Sequence, residues 1–362
     1  MKRSVQLAHI RQLCCLGYPG QSLMPALLRA VREFIGADSA GFFWVDAKGD
    51  MTNLFAERML PPGLMRLYFE RHYDGAEHPF RKAFLQRADS PSQVSSSSAS
   101  PELLKTAYYN DILRHLDAHH VMYSVIRDQG HALGQLSLYR PKSAVAFSAR
   151  ERAAVNDISR YVAHAVSCPA AELEAKAQFV DSDDEGLLVV DSRGVIVQGP
   201  AQSLKLLAMA TRSQFNPASP PVATGDIAPE VVMRLVERLN RVLAGQPEAA
   251  PREQVETAWG RFVVSAYALG NEGDALPATI GIHVRRKEHV VVKLAEAMGS
   301  LDLPPQQREV ALLLAQGKSN QEISAALNVS NNTASYHVKQ LFFRLDAHDR
   351  AEAVSRILAT GS

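Results

Sequence analysis

The sequence predicts a multidomain α+β protein: two mixed helix-and-strand units, then a compact all-α unit of four helices. Three observations predict it. Apolar spacing across residues 303–358 is helical, with two N-cap signals at short range. Residues 39–56 and 120–140 each read as two strands about a turn, between helical stretches. Residues 183–198 and 257–285 show a second set of strands. At 362 residues the chain has room for two or three domains, and 46% hydrophobic with 21% charged content is ordinary for a globular fold. Lys and Arg (39) nearly balance Asp and Glu (38), so there is no global basic footprint. No apolar run approaches a membrane span, and the opening MKRSVQLAHIRQLCC lacks the uninterrupted apolar core of a signal peptide. Adjacent Cys14 and Cys15 with distant Cys168 have no metal spacing and suit reduced thiols in a cytoplasm. The expected location is cytoplasmic.

The first unit is expected over 1–167. Leu23, Leu27, Leu28, Val31 and Phe34 share a helix face that ends at Gly36. SAGFFWVDAKGD is a strand with a turn, and a second strand follows around Thr52 to Ala56. Ser92 to Ser100 reads as a flexible surface loop. HHVMYSVIRDQGHALGQLSLYRP gives two strands joined at Asp128-Gln129-Gly130, and Ala154, Ile158, Val162 and Ala163 mark a closing helix. This order resembles a GAF domain, an α/β/α layout shared by the autoinducer-binding domains of acyl-homoserine-lactone receptors. The stretch Tyr68-x4-Tyr73-x4-His78-Pro79 is similar to the Tyr…Tyr…Asp-Pro of those receptors. It differs in spacing, has His where their ligand-binding Asp stands, and lacks the tryptophan that follows, so that lactone is not the expected ligand. Candidate ligand-binding residues are Phe43, Tyr68, Tyr73, His78 and Tyr123. The spacing itself favours Tyr68, Phe69, Tyr73 and His78 as the aromatic stripe of a packed helix over a pocket wall.

Residues 168–182 are expected as a helical connector, and 183–290 as the second unit. DEGLLVVDSRGVIVQGPAQSLKLLAMA reads strand, Asp191-Ser192-Arg193-Gly194 turn, strand, short helix. A loop over 212–225 precedes an amphipathic helix with Val231, Val232, Leu235, Leu239 and Val242; two strands close the unit. Its opening resembles a PAS domain. Residues 291–301 are expected as a linker, and the run Arg285-Arg286-Lys287 as a solvated strand end.

The last unit, 302–362, carries the most specific signal. Ser319 with Glu322 is a capping box, Gly317 suits the left-handed stop of the helix before it, and Ser330 caps the next. A short helix, a turn and a longer helix make a helix-turn-helix. Arg308-Glu309-Val310, Gly317 to Ile323, Thr333 with His337, Leu345, and Arg350 to Val354 resemble the DNA-binding domain of the LuxR family, over about a sixth of the chain. That resemblance implies double-stranded DNA as partner. Ser335, Tyr336 and Lys339 take the base- or phosphate-reading positions, with Asn331, Asn332 and Thr333 beside them and Arg344 further along the same helix. Asn320 is a phosphate candidate at a helix N-terminus. Ser335 replaces a Lys common in relatives, and Tyr336 is bulkier than their aliphatic residue, so their target sequence does not carry over. Val310, Leu313, Leu314, Ile323, Leu327, Val338, Leu341 and Leu345 should form the small core. Ala351, Val354, Ile357 and Leu358 offer a dimer face or pack within the domain.

No catalytic constellation stands out. Gly317-Lys318-Ser319 lacks the first Gly of a P-loop, since position 312 is Leu, and the scattered histidines have no paired metal spacing. The expected function is therefore non-enzymatic. It is sequence-specific DNA-binding transcriptional regulation, controlled by N-terminal sensor domains through an unidentified effector, with no other cofactor or metal. The expected partners are DNA, a second copy of the chain and RNA polymerase, with no membrane. The alternative is a ligand-binding or enzymatic protein whose C-terminal helices serve assembly.

Overall fold

The computed structural model describes residues 3–73, 79–168, 178–212, 214–215, 222–269, 279–299, 301 and 303–360. Helices α1 (Arg3–Cys14) and α2 (Gly20–Ile35) come first. Gly36, with φ 72°, stops α2 in the left-handed conformation that glycine adopts without a Cβ penalty. Then follow β1 (Ser39–Val45), β2 (Met51–Ala56), α3 (Pro62–Leu67), α4 (Pro79–Asp89), β3 (Val94–Ser98), β4 (His120–Asp128), β5 (His131–Arg140) and α5 (Ala149–Ser167). The strands form one antiparallel sheet in the order β2-β1-β5-β4-β3. Gln129 and Gly130, both at positive φ, make the tight turn of the central hairpin. Strand alternation splits the sheet into two faces. Phe42, Leu136, Leu138, Met122 and Ile126 pack in the core with α2 and α5. The opposite face, with Phe43, Val125 and Tyr139, meets the segment between β2 and β4.

The second unit repeats the pattern. Strands β6 (Phe179–Asp191) and β7 (Ile196–Gln198) precede helices α6 (Ala201–Thr211) and α7 (Glu230–Leu243). Strands β8 (Arg252–Thr257), β9 (Gly260–Leu269) and β10 (Thr279–His289) complete a sheet ordered β7-β6-β10-β9-β8. Counted within each unit, both sheets run second, first, fifth, fourth, third. Leu188, Val190, Phe262, Val264, Ile280, Ile282 and Val284 are buried beneath α6 and α7, while Leu187, Tyr267 and Leu269 on the other face stay exposed.

Helix α8 (Val290–Ala297) continues directly from β10, and α9 (Pro305–Ala315), α10 (Asn320–Leu327), α11 (Asn331–Leu345) and α12 (Arg350–Thr360) form the last unit. The capping box at Ser319 and Glu322 is present, and Ser330 accepts from the Thr333 amide. Val310, Leu314, Ile323, Val338 and Leu341 are buried with Ala334 and Ile357; Leu313, Leu327 and Leu345 pack at the edge. Among the described residues, no helix is long and apolar enough to cross a membrane.

Four expectations are corrected. The serine-rich stretch is not a loop: Val94 to Ser98 pairs with β4 as an edge strand, its backbone supplying what its side chains do not advertise. The connector lies partly outside the described residues, and its last part, from Phe179, is strand. The linker contains α8, whose Val290, Val291, Val292, Leu294, Ala295 and Ala297 are all buried. A helix buried on nearly every side, with its Lys293 ion-paired, is an interior helix. Finally, Arg286 is 2% exposed rather than solvated: it donates to the Trp259 and Ser22 carbonyls and pairs with Asp184 at 3.1 Å.

Helix α8 touches all three units, packing on α1 and α2, on β6 and β10, and on α9 and α12. Leu294 is fully buried. Leu294→Ala should cost about 2–5 kcal/mol, read as a lower urea midpoint. Two histidines stand at these seams. His9 of α1 packs by Gly299, and His289 lies between the Tyr18 and Phe179 rings at 4.5 and 4.3 Å. In both, Nδ1 is buried without a hydrogen bond. Burial holds each pKa down at about 4, helped by Arg308 at His9 and by Arg286 and Arg261 at His289. Between about 6.5 and 4 the unfolded chain therefore binds protons that the folded chain does not, and stability falls as pH falls. Melting curves at pH 7.5 and 5 should show that loss, about 2 kcal/mol for His9, and His9→Leu should reduce it.

Candidate DNA interface and effector cavity

Helix α11 is built with two opposed faces. Ala334, Val338 and Leu341 point into the unit. About half a turn away, Asn332, Tyr336, Lys339 and Phe343 form an exposed stripe at helical spacing, with Tyr336 59% and Phe343 83% accessible. Asn331, Thr333 and Arg344 are exposed too. Helix α11 packs on α9, α10 and α12, and α9 and α12 in turn pack on α8, so the stripe stays open.

The structure divides the expected DNA-contacting residues by what their side chains already do. Asn331, Asn332, Tyr336 and Lys339 face outward near the first half of α11. The Thr333 hydroxyl bonds to that of Ser330, 2.8 Å away, at the helix start. Asn320 and Ser335 are committed inward: the Asn320 amide donates to the Ser335 hydroxyl at 3.1 Å, and Arg350 donates to Asn320 Oδ1 at 2.6 Å. Arg350 also donates to the Lys318 carbonyl. This cluster locks the start of α10 onto α11 and α12, which leaves the backbone amides of α10, not the Asn320 side chain, for an anion. Arg344 lines a cleft between α1 and α9 rather than the stripe. Glu322, in the same helix start, accepts from the Ser319 amide and hydroxyl and from Lys318, which hold its carboxyl down at about 2. In α12, Ala353 and Ile357 are buried, Val354 and Leu358 pack at the core edge, and Ala351 is exposed. Its apolar stripe is used within the chain, against α8, α9 and α11.

A second site lies in the first unit. A cavity of about 80 Å³ opens between the sheet and the segment that covers it. Phe43, Leu54, Leu60, Met65, Ile112 and Leu116 give it apolar walls; Tyr68, Tyr108, Ser137 and Tyr139 give it hydroxyls. Of the expected ligand residues, Phe43 and Tyr68 line the cavity. Tyr73 is in the adjoining core, its hydroxyl accepting from the Met51 amide, and Tyr123 lies beside the cavity under Arg87. His78 is outside the described residues. The aromatic stripe is thus mostly packing, with Tyr68 reaching the cavity. Tyr108, Ser137 and Tyr139 were not singled out from the sequence. The alternation of Ser137 and Tyr139 along β5 carries a weak signal, but only the covering segment, which brings Tyr108, reveals which face is enclosed. Burial pushes the hydroxyls of Tyr68, Tyr108, Tyr123 and Tyr139 up, so all four are neutral donors.

Comparison with known proteins fits this geometry. Residues 302–357 match the family described as "Bacterial regulatory proteins, luxR family", and residues 20–166 match the GAF domain. A curated Escherichia coli (strain K12) protein, "Putative HTH-type transcriptional regulator YhjB", is 43% identical over 51 residues, 14% of this chain and 26% of that protein. The chain thus spans about a quarter of that relative's length. Among solved structures, a GAF domain/HD domain protein from Geobacter sulfurreducens aligns at 19% identity, over 41% of this chain and 93% of that one, with TM-score 0.31. The E. coli DhaR(N)–DhaL complex aligns at 14% identity, over 77% and 88%, with TM-score 0.24. The chain carries a GAF domain near its N-terminus and a LuxR-family helix-turn-helix domain at its C-terminal end.

Arg350→Ala removes the donor to both Asn320 and Lys318. It should destabilise the C-terminal domain by about 1–3 kcal/mol and speed hydrogen exchange of the 320–327 amides, while exchange in β4 and β5 stays unchanged.

Proposed function

We propose that this protein is a sequence-specific DNA-binding transcriptional regulator whose operator binding is set by an effector held in the GAF domain. One observation carries the reading: the LuxR-family domain presents the Asn332, Tyr336 and Lys339 stripe of α11 to solvent, and its attachments lie on the opposite side. In a helix-turn-helix, the N-terminal half of the second helix enters the major groove. Lys339 supplies a donor for guanine or phosphate, the two asparagines can pair with adenine or phosphate, and Tyr336 adds a ring with a hydroxyl. Asn331, Thr333 and the α10 backbone amides lie beside them for phosphate. The side chains of Asn320 and Ser335 act by positioning α10 against α11.

The second unit is read as a PAS-like sensor. Its strand–turn–strand–helix opening supports that, as does its repetition of the GAF strand order. The chain works as a cytoplasmic homodimer on two half-sites. One copy offers few exposed cations to phosphate, and pairing doubles the contacts. RNA polymerase is the further partner where the regulator activates. No chemistry is assigned to the chain, and the effector acts by favouring one arrangement of the domains.

An operator selected from a random duplex pool tests this. The full chain should retain a defined sequence, with affinity falling steeply as salt rises. Lys339→Ala and Tyr336→Ala should each weaken binding by about 1–3 kcal/mol, while Phe343→Ser, beyond the groove-entering half, should leave it nearly unchanged. Recovery of no sequence, with salt-independent retention, would point instead to helices that serve assembly.

A further inference from the structure

The cavity of the GAF domain has one end richer in donors than its apolar body requires. Arg87 of α4 stands behind that end. Its guanidinium lies over the Tyr123 ring, 4.6 Å from the centroid, and its Nε and Nη2 both donate to Gln135 Oε1, at 3.0 and 2.8 Å. Fully buried Gln135 then donates to Ser137 Oγ at 3.1 Å, on the cavity wall. Arg87 therefore meets a neutral amide where a half-buried cation ordinarily meets a carboxylate. Among the described residues, no Asp or Glu comes within ion-pair distance of it. The hydroxyls of Tyr108 and Tyr123 make no hydrogen bond to the described residues either, although both rings are enclosed. Tyr108 on the cavity wall and Tyr123 beside it thus keep unpaired hydroxyls, and the cation behind that end has an amide oxygen rather than a carboxylate as its partner. Leaving a guanidinium partly desolvated without an anion is costly, and a ligand that supplies the anion recovers that cost.

We propose that the cavity binds a short-chain organic carboxylate, on the reading of the GAF cavity as the effector site. The carboxylate sits among Tyr108, Ser137 and Tyr139 in the field of Arg87, and the carbon chain lies along Leu60, Met65 and Ile112. A volume of about 80 Å³ admits an acid of roughly four to six heavy atoms. The neutral tyrosines donate and do not repel, since burial keeps them protonated well above neutral pH. Arg87 also links the ligand to the fold: it belongs to the covering segment and reaches Ser137 of β5 through Gln135, so an anion at Ser137 would strengthen that bridge between the segment and the sheet.

The test uses acetate, propionate and butyrate against acetamide, propionamide and butyramide on the full chain, at fixed ionic strength and pH 7.5. Melting temperature and saturation-transfer NMR provide the readouts. At least one acid should raise the melting temperature by a few degrees with a saturable dose response, and its amide should not. Arg87→Met and Tyr108→Phe should each weaken that acid ten-fold or more. Equal binding of acid and amide, unaltered acid binding by both variants, or no binding of any acid would each overturn the proposal. If the amides bind and Met65→Trp abolishes their binding, the cavity remains the effector site and only the preference for an anion falls. If no probe binds, the effector reading of the cavity loses its support as well. The acid–amide comparison needs no variant, so it decides the matter even where Arg87→Met fails to fold.

Discussion

The burial of α8 is the constraint on which the rest of this architecture depends. Eight residues, six of them aliphatic, sit where three domains meet, and the helix packs on a neighbour from each. A helix so placed cannot slide without losing contacts to the GAF helices, the second sheet and the DNA-binding domain together. Charged groups around it fix its register. Lys293 pairs with Asp183 at 3.0 Å and lies 3.7 Å from Glu288, while Glu296 pairs with Arg29 at 2.9 Å. Burial and the nearby Glu288 push the Glu296 carboxyl up to about 7. Ion pairs in such a setting add little net stability, because desolvation offsets attraction. Their contribution is specificity: a displaced α8 would strand these charges.

The junction of the GAF domain and the second unit is equally closed. Lys205 of α6, buried and held down at about 8 by that burial, donates to the Ala56 carbonyl at 2.7 Å and lies over the Phe55 ring. The Phe215 amide donates to Asn53 at 2.8 Å, and Trp259 packs among Trp44, Phe55 and Phe215. All of these meet β1 and β2, the strands that supply Phe43, Leu54 and Ala56 to the cavity wall. The cavity and the second unit therefore press on the same two strands from different sides. That is physical continuity, and it becomes coupling only if those strands have two arrangements that a ligand can distinguish.

What the sequence disclosed follows the range of the interactions concerned. The helix-turn-helix was legible because its caps act over three residues and its core repeats every three or four: Ser319 with Glu322, Gly317, and Val338 with Leu341. The outward stripe of α11 followed from the same periodicity. The inward use of Asn320 was not legible, since its partners Ser335 and Arg350 lie 15 and 30 residues away. Strand β3 was hidden by its composition, because an edge strand of serines carries backbone pairing and almost no apolar alternation. Helix α8 was hidden for the opposite reason. A run of eight residues that is apolar except at Lys293 and Glu296 is too short to declare a helical period, and it follows β10 without a turn. The cavity was half visible: Tyr68 stood out in an aromatic cluster, but Tyr108 and Tyr139 become neighbours only when the covering segment folds over the sheet.

These magnitudes limit how a signal could reach the DNA-binding domain. Freeing α8 from its neighbours would expose at least Val291, Val292, Leu294 and Ala295, and burial of each larger aliphatic side chain contributes about 1.5–3 kcal/mol. The sum is well above the 1–3 kcal/mol by which one bound ligand typically couples to another. An effector of a few heavy atoms cannot supply the difference. Regulation by wholesale release of the C-terminal domain is thus energetically remote, whereas a small rigid displacement that keeps α8 buried is within range. The domain would then move as one body with α8, and in a dimer a tilt of that body changes the spacing between two recognition helices. Half-site spacing is set by the DNA to about one helical turn, so a shift of a few ångströms there weakens both contacts at once. Geometry between copies, more than exposure of the reading helix, is where this fold could convert an occupied cavity into altered DNA affinity.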